Sequence, residues 1–247
     1  MSDWMRAALL VVSVSAHGAA CADEIRVAVA ANFAAVLEDL AARFEASSGH
    51  EVLISSGSTG GHYAQIHNGA PFDVFFAADA ARPALLEQEG RIVAGSRFTY
   101  AVGRLALWST EPGYVDADGK VLAAAGFRFL AIANPELAPY GAAARDVLEG
   151  LGLWERLQDR LVQGQDIGQT LSFVYTRSAE LGFVAYSQLR NPDRPIEGSH
   201  WLVPAALHQP IEQQAVLLED TPAAREFLEF VKSEQGRDLI RSYGYGP

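Results

Sequence analysis

The sequence predicts an α/β protein, because short apolar runs typical of strands alternate with segments of helical period along most of the chain. The first unit shows both patterns: residues 24–31 form a short β-branched run, and residues 33–44 then place their large apolar side chains on one helical face. Asn32 is placed as the N-cap of that helix and Gly49 as its end. Repeated units of this kind predict parallel sheets covered by helices.

The same alternation continues to the carboxyl end. The continuous apolar run at 72–78 is typical of a strand buried on both faces. If the chain forms two lobes, the crossings between them are expected to be strand-like, near 101–104 and 201–206. Further strands are predicted at 52–55, 98–109, 127–133, 161–163, 181–186 and 211–218, and helices at 63–67, 83–88, 120–125, 141–157, 168–176 and 222–243.

Size and charge limit the classes of function. The chain has 247 residues, 49% of them hydrophobic and 20% charged, which suits one large domain or two lobes with real cores. It carries 19 Lys and Arg against 30 Asp and Glu, for a formal charge of −11. Nucleic acids and anionic membrane surfaces both require basic patches, so an acidic balance argues against either as a partner.

Residues 1–22 have the pattern of a secretory signal peptide. Arg6 precedes an apolar segment too short to span a membrane, and small residues flank Cys21 at the expected cleavage site. A buried N-terminal helix is the alternative, and lipid attachment at Cys21 is disfavoured because Gly18 stands where a large aliphatic residue is usual. The mature chain is expected to begin near Asp23 without any cysteine, so it forms no disulfide and no cysteine-based zinc site.

No catalytic motif is present in the sequence. It lacks the G-x-S-x-G, P-loop, H-E-x-x-H and C-x-x-C patterns. His62 and His67 are five residues apart and face different sides of a helix, which makes a shared metal ion improbable. Asp79 is better placed to cap the following helix than to act in catalysis. The sequence therefore predicts a binding protein rather than an enzyme.

One arrangement recurs four times: a strand ends, small or polar residues follow, and a helix starts. Each helix start offers unpaired backbone N–H groups and the positive end of a helix dipole, and several such ends in one cleft bind an anion without Lys or Arg. The side chains of Asn32, Ser58 and Thr59 add neutral donors. The alternative is that each start is merely capped. The four starts are Ala31-Asn32-Phe33, Ser58-Thr59-Gly60, Pro139-Tyr140-Gly141 and Asp166-Ile167-Gly168.

These segments resemble the periplasmic molybdate-binding proteins of ABC importers, the ModA family. The likeness covers nearly the whole mature chain in the family's order, and its most specific parts are GAPFDVFFAAD at 69–79 and the SYGYG ending. The Ala31-Asn32-Phe33 stretch resembles a subgroup with the A-N-F signature. Other matching segments are VAVAANF (27–33), SSGSTG to YAQI (55–66), NPELAPYG (134–141), QDIGQTLSFV to AYSQ (165–188) and the tail from 230 to 246.

The resemblance implies a type II, two-lobed periplasmic binding protein fold with two crossover strands and the ligand in the cleft. Lobe I would comprise 23–102 and 206–247, and lobe II 103–205. The implied ligands are Asn32 with the N–H of Ala31, Ser58 and Thr59 from lobe I, and the backbone N–H groups of Tyr140 and Ile167 from lobe II. Some members have a ligand tyrosine at the position of Ala185; the neighbouring Tyr186 is expected in the core instead.

The implied function is capture of molybdate or tungstate in the periplasm and delivery to a membrane permease, by a monomer without a cofactor. Molybdenum or tungsten would be held as an oxyanion, not as a bare cation. Such dianions only accept hydrogen bonds, whereas phosphate retains a proton and would profit from a carboxylate, which the sequence does not place beside the ligands. Two alternatives remain: sulfate or another tetrahedral oxyanion as ligand, and an enzyme on the same fold.

Overall fold

The computed structural model describes residues 23–192 and 195–246. The predicted signal peptide and Cys21 lie outside these residues. Within them, no helix combines the length and the apolar character that a membrane crossing requires.

Strands in the described residues form two five-stranded sheets, with the orders β2-β1-β3-β10-β4 and β7-β6-β8-β5-β9. The first sheet with its helices is called lobe I, and the second lobe II. In chain order the strands are Glu24–Ala30 (β1), Glu51–Gly57 (β2), Val74–Ala77 (β3), Phe98–Gly103 (β4), Leu105–Ser109 (β5), Leu130–Ala133 (β6), Leu161–Gly164 (β7), Leu181–Ala185 (β8), Ser199–Leu202 (β9) and Ile211–Leu217 (β10).

Both sheets are mixed, which corrects the expectation of parallel sheets. β1 pairs in parallel with β2 and β3, but β10 is antiparallel to β3 and β4. In lobe II, β6 is parallel to β7 and β8, whereas β5 is antiparallel to β8 and β9. The antiparallel strands β5 and β10 follow passages between the sheets and are not products of a βα crossover, so the parallel rule does not apply to them. β9 overlaps the strand-like crossing expected near 201–206, but it pairs with β5 within the lobe II sheet.

Helices cover the sheets and differ from the predicted ones mainly at their ends. The helix predicted at 63–67 begins at Thr59, and the one predicted at 141–157 is two helices separated by a turn at Gly152, whose φ is 67°. In chain order the helices are Ala34–Ser48 (α1), Thr59–His67 (α2), Ala81–Gln88 (α3), Val121–Ala124 (α4), Pro139–Gly150 (α5), Trp154–Leu157 (α6), Ile167–Tyr175 (α7), Tyr186–Leu189 (α8), Pro222–Lys232 (α9) and Glu234–Ser242 (α10).

The ends of α1 confirm one predicted cap and correct the other. Gly49 follows the helix with a φ of 79°, and its N–H donates to the carbonyl of Glu45, as expected for a glycine end. At the start, the N-cap position belongs to Phe33 and not to Asn32. The Phe33 ring is fully buried against Phe76, so its packing fixes the helix start and leaves the Asn32 side chain for other contacts.

The run predicted as one strand at 98–109 is divided at Arg104, where the chain leaves the lobe I sheet and enters the lobe II sheet. Gly103 lies at this passage. A Cβ atom there would lie 2.3 Å from the hydroxyl oxygen of Tyr140 and 2.6 Å from Nε2 of Gln213. The passage between the lobes is therefore packed directly against a side chain that begins α5.

Candidate anion-binding site

The four helix starts that the sequence singled out meet around one small cavity between the lobes. Its volume is about 10 Å³, close to the space that one water molecule needs. Its lining contains the six residues that the resemblance implied as ligands, and none of the lining residues is Lys, Arg or His. The lining residues are Ala30, Ala31, Asn32, Gly57, Ser58, Thr59, Ala78, Ala138, Pro139, Tyr140, Asp166 and Ile167.

Besides that of Asp166, five main-chain N–H groups of lining residues have no acceptor among the described residues, namely those of Asn32, Ser58, Thr59, Tyr140 and Ile167. These groups follow a strand or open a helix, where no residue one turn earlier can accept the hydrogen bond. Four of the five residues are at most 4% exposed, and Ser58 is half-buried. Buried N–H groups are nearly always hydrogen-bonded, so a cluster of free ones indicates a ligand that brings acceptors.

Two hydroxyl groups complete this donor set. Thr59 Oγ1 accepts the N–H of Ala78 at 3.0 Å, and Ser58 Oγ accepts the N–H of Gly61 at 3.2 Å. Because each oxygen already accepts a main-chain hydrogen bond, each hydroxyl keeps its own hydrogen for donation. The site therefore offers main-chain and hydroxyl donors with no cation among its lining residues, which is the chemistry expected for an anion bound without a countercharge.

Two expected donors are corrected by the geometry. The N–H of Ala31 donates to the carbonyl of Gly57 at 2.9 Å, so Ala31 lines the cavity without offering that donor. The Asn32 side-chain amide donates to Oε1 of Gln213 at 2.9 Å and to the hydroxyl of Tyr245 at 3.0 Å. Both hydrogens of that amide are thus in use, and the free donor of Asn32 is its main-chain N–H.

A buried polar network lies behind the cavity and joins the two lobes. Gln213 Nε2 donates to the hydroxyl of Tyr140 at 3.0 Å, and Gln213 Oε1 accepts the hydroxyl of Tyr100 at 2.9 Å. The carbonyl of Asn32 accepts hydrogen bonds from Tyr245 and Ser187. Burial raises the pKa values of the Tyr100, Tyr140 and Tyr245 hydroxyls, so they remain protonated at neutral pH. Sequence reasoning missed Gln213, since no local pattern links it to the helix starts.

Asp166 also lines the cavity, which corrects the expectation that no carboxylate lies beside the proposed ligands. Its Oδ1 accepts the N–H groups of Gly168 at 2.8 Å and Gln169 at 2.9 Å, as the N-cap of α7. This carboxylate is thereby tied to the helix start and leaves the Ile167 N–H free. The motif Asp166-Ile167-Gly168 contained this signal, because Asp is a preferred N-cap residue.

The remaining candidate residues are not among the residues that line the cavity. His62 is buried beneath β1 and β2, burial lowers its pKa, and its Nε2 has no hydrogen-bond partner among the described residues. His67 pairs with Glu89 at the surface. Asp79 accepts the N–H of Arg82, although the N-cap position of α3 belongs to Ala80 and not to Asp79 as predicted. Tyr186 begins α8 and its ring faces the Arg104 guanidinium, outside the cavity lining.

The fold and the residues that line the cavity together indicate the class of protein. No group of three or more His, Cys, Asp or Glu residues in the described ranges could hold a metal ion. Two α/β lobes enclose a cavity of anion-binding donors, which is the architecture of a solute-binding protein. The family model "Bacterial extracellular solute-binding protein" matches residues 25–246.

Comparison with individual relatives narrows the class. The chain is 52% identical over 243 residues to the molybdate-binding protein ModA of Azotobacter vinelandii, covering 96% of each chain. It is 46% identical to ModA of Rhodobacter capsulatus, over 92% of this chain and 89% of that one. The solved structure of the Azotobacter vinelandii periplasmic molybdate-binding protein superposes with a TM-score of 0.87, covering 90% of this chain and 99% of that one. The chain belongs to the ModA family of solute-binding proteins.

Proposed function

We propose that this protein captures molybdate, and tungstate with it, and delivers the oxyanion to the permease of an ABC importer. The observation that carries the proposal is the set of free donors, drawn from both lobes, that lines one cavity without a cation. Its relatives are named for molybdate binding, which agrees with this chemistry. The function is binding and delivery, with the oxyanion as cargo and not as a cofactor.

Protonation distinguishes the candidate ligands. Molybdate and tungstate are fully deprotonated dianions at neutral pH and can only accept hydrogen bonds, so a set of pure donors suits them. Hydrogen phosphate must also donate a proton. Oδ1 of the Asp166 carboxylate in the lining already accepts two main-chain hydrogen bonds, so Oδ2 is the acceptor that phosphate would need to reach. Sulfate has the same charge as molybdate but shorter bonds, so the distance between donors decides between the two.

The proposed ligand groups are the main-chain N–H groups of Asn32, Ser58, Thr59, Tyr140 and Ile167 and the hydroxyls of Ser58 and Thr59. Ala31 contributes to the wall. Because each lobe alone holds only part of this set, closure of the lobes completes the site. The proposal includes a periplasmic location, which follows from the predicted signal peptide and the relatives, and a monomeric protein.

Thermal melting with molybdate, tungstate, sulfate and phosphate at equal concentrations tests the proposal. A ligand at about 1,000 times its dissociation constant adds about 4 kcal/mol of stability, which raises the melting temperature by about 8–16 °C in a protein of this size. We expect that shift with molybdate and tungstate. A shift in melting temperature with sulfate alone would identify the protein as a sulfate-binding protein. If none of the four anions shifts the melting temperature, the proposal is rejected.

A further inference from the structure

The two lobes touch at a second place, beside the cavity but outside its lining donors. The N–H of Gly60 donates to the carbonyl of Leu137 at 2.8 Å, and Arg82 Nη2 donates to the carbonyl of Glu136 at 2.8 Å. Gly60 and Arg82 belong to lobe I, whereas the two consecutive carbonyls belong to the lobe II turn between β6 and α5. Each carbonyl is therefore held by one donor from across the cleft.

Both halves of this contact are ordered within their own lobes. Asp79 accepts the main-chain N–H of Arg82 at 2.9 Å and its Nη1 at 2.6 Å, so the guanidinium is aimed by an ion pair that is mostly buried. Across the cleft, Asn134 Oδ1 accepts the N–H of Glu136 at 2.9 Å. Groups ordered in advance lose less entropy when they meet, so the contact favours the closed state more than a flexible ion pair would.

Gly60 marks the closest approach of the two lobes at this place. A Cβ atom on Gly60 would lie 3.1 Å from both Cα and the carbonyl oxygen of Leu137. Contacts this short force the neighbouring backbone to move, so a side chain at position 60 opposes closure. Within α2, by contrast, alanine is a better helix former than glycine, and the unliganded lobe does not suffer.

We propose that Gly60 and Arg82 form a latch that holds the lobes closed and slows ligand release without touching the anion. This inference rests on the proposed function, since release is defined only for a bound oxyanion. The latch residues are positioning residues: Gly60 follows the proposed ligand Thr59, and Leu137 precedes Tyr140 by three residues. Closure of the latch thus fixes the distance between donors from the two lobes.

Stopped-flow kinetics with molybdate test the latch in Gly60→Ala and Arg82→Ala. Loss of a hydrogen bond from a charged donor predicts a dissociation rate about tenfold higher for Arg82→Ala, and we expect an increase of about three- to tenfold for Gly60→Ala. Association rates should change by less than about twofold, since closure follows encounter. Arg82→Lys, which replaces the two guanidinium nitrogens that contact Asp79 and Glu136 by one ammonium, should be intermediate.

Matched controls separate the latch from general damage. Gly150→Ala adds a Cβ into open space at the end of α5, and Arg91→Ala removes an exposed guanidinium near Glu89 in lobe I. Both should release molybdate at the wild-type rate. The melting temperature of unliganded Gly60→Ala should equal or exceed that of the wild type. The latch would be rejected if the latch variants released molybdate at the wild-type rate. It would also be rejected if the controls released molybdate as fast as the latch variants.

A distance measurement distinguishes failure of the latch from failure of the proposed function. Spin labels at Gln88→Cys and Glu155→Cys, exposed in lobes I and II, report lobe separation in the chain from residue 23 onwards, which contains no other cysteine. Wild-type protein should shorten this distance with molybdate, and Arg82→Ala should shorten it less. If no oxyanion alters the wild-type distance, the proposed function fails. In that case the latch is tested by the distances between the two spin labels in the unliganded proteins. The distance in Arg82→Ala must then be longer than in the wild type.

Discussion

The two lobes contribute to the same cavity in different ways. Lobe I supplies main-chain N–H groups together with the hydroxyls of Ser58 and Thr59, whereas the donors of lobe II are main-chain N–H groups, among them those of Tyr140 and Ile167. Lobe II also brings the Asp166 carboxylate to the cavity wall. Side-chain identity should therefore matter for binding in lobe I, whereas in lobe II the position of the backbone should matter more.

Thr59→Val should produce the largest loss of affinity. It removes the hydroxyl donor and leaves the buried N–H of Ala78 without its acceptor, while keeping the size of the side chain. A hydrogen bond to a charged group contributes about 1.5–3 kcal/mol, so molybdate affinity measured by calorimetry should fall by roughly 10- to 150-fold. Thr176→Val, on an exposed part of lobe II, is the control, and an equal loss there would contradict the assignment.

Asp166→Asn should increase affinity, because it removes a negative charge beside the proposed dianion. Asparagine caps a helix as well as aspartate does, so α7 should keep its start. Coulomb's law at a high effective dielectric constant predicts a gain on the order of 1 kcal/mol in molybdate binding. The exposed Asp159→Asn serves as the matched charge control in calorimetry. Weaker binding in Asp166→Asn would show that the carboxylate supports the site.

His62 should give the fold a pH dependence that originates in lobe I. Burial holds its pKa below the usual value of about 6.5, so the folded protein binds its proton less readily than the unfolded chain does. Its contribution to stability is complete above about pH 6.5 and is lost as the pH falls from there towards the folded pKa. Denaturant unfolding from pH 8 to pH 5 should show this loss, and His62→Gln should reduce it. An unchanged pH profile in that variant would assign the loss to other groups.

Ile167→Val should have the smallest effect, because the proposed contribution of this residue is its main-chain N–H. The side chain is 3% exposed, and removing one methylene from such a position costs about 0.5–1.5 kcal/mol of stability. Molybdate affinity should change by less than about threefold in calorimetry. A loss of molybdate affinity as large as that of Thr59→Val would show that side-chain identity matters in lobe II as much as in lobe I.

The α/β class and most elements could be predicted from the sequence, because strand and helix periods are local properties. The four helix starts were also recognisable locally, from small or polar residues between a strand and a helix. The division of residues 98–109 at Arg104 could not be predicted locally, because the sequence on both sides is strand-like. Only the pairing of β4 and β5 with distant strands separates the two. β9 was expected only as a strand-like crossing near 201–206, because Ser199–Leu202 is short and follows a Pro-rich loop.

The sequence predicted which residues line the cavity but not which of their atoms face it. Whether Ala31 or Asn32 turns its N–H towards the cavity depends on the orientation of a peptide plane, which no sequence pattern defines. The Asn32 amide looked like a free donor because its partners, Gln213 and Tyr245, lie 181 and 213 residues away along the chain. The approach of Gly60 to Leu137 exists only when the two lobes face each other.

Recognition through peptide N–H groups also affects how such a site changes during evolution. Every non-proline residue carries the same N–H, so at Tyr140 and Ile167 the side chain is constrained by packing, and at Tyr140 also by its hydrogen bond with Gln213, and not by the ligand. Descendants could then share a ligand although few of their contact residues match. A sequence search that compares only the side chains around the cavity would miss the main-chain donors of lobe II. A search that compares the strand-to-helix junctions would detect them.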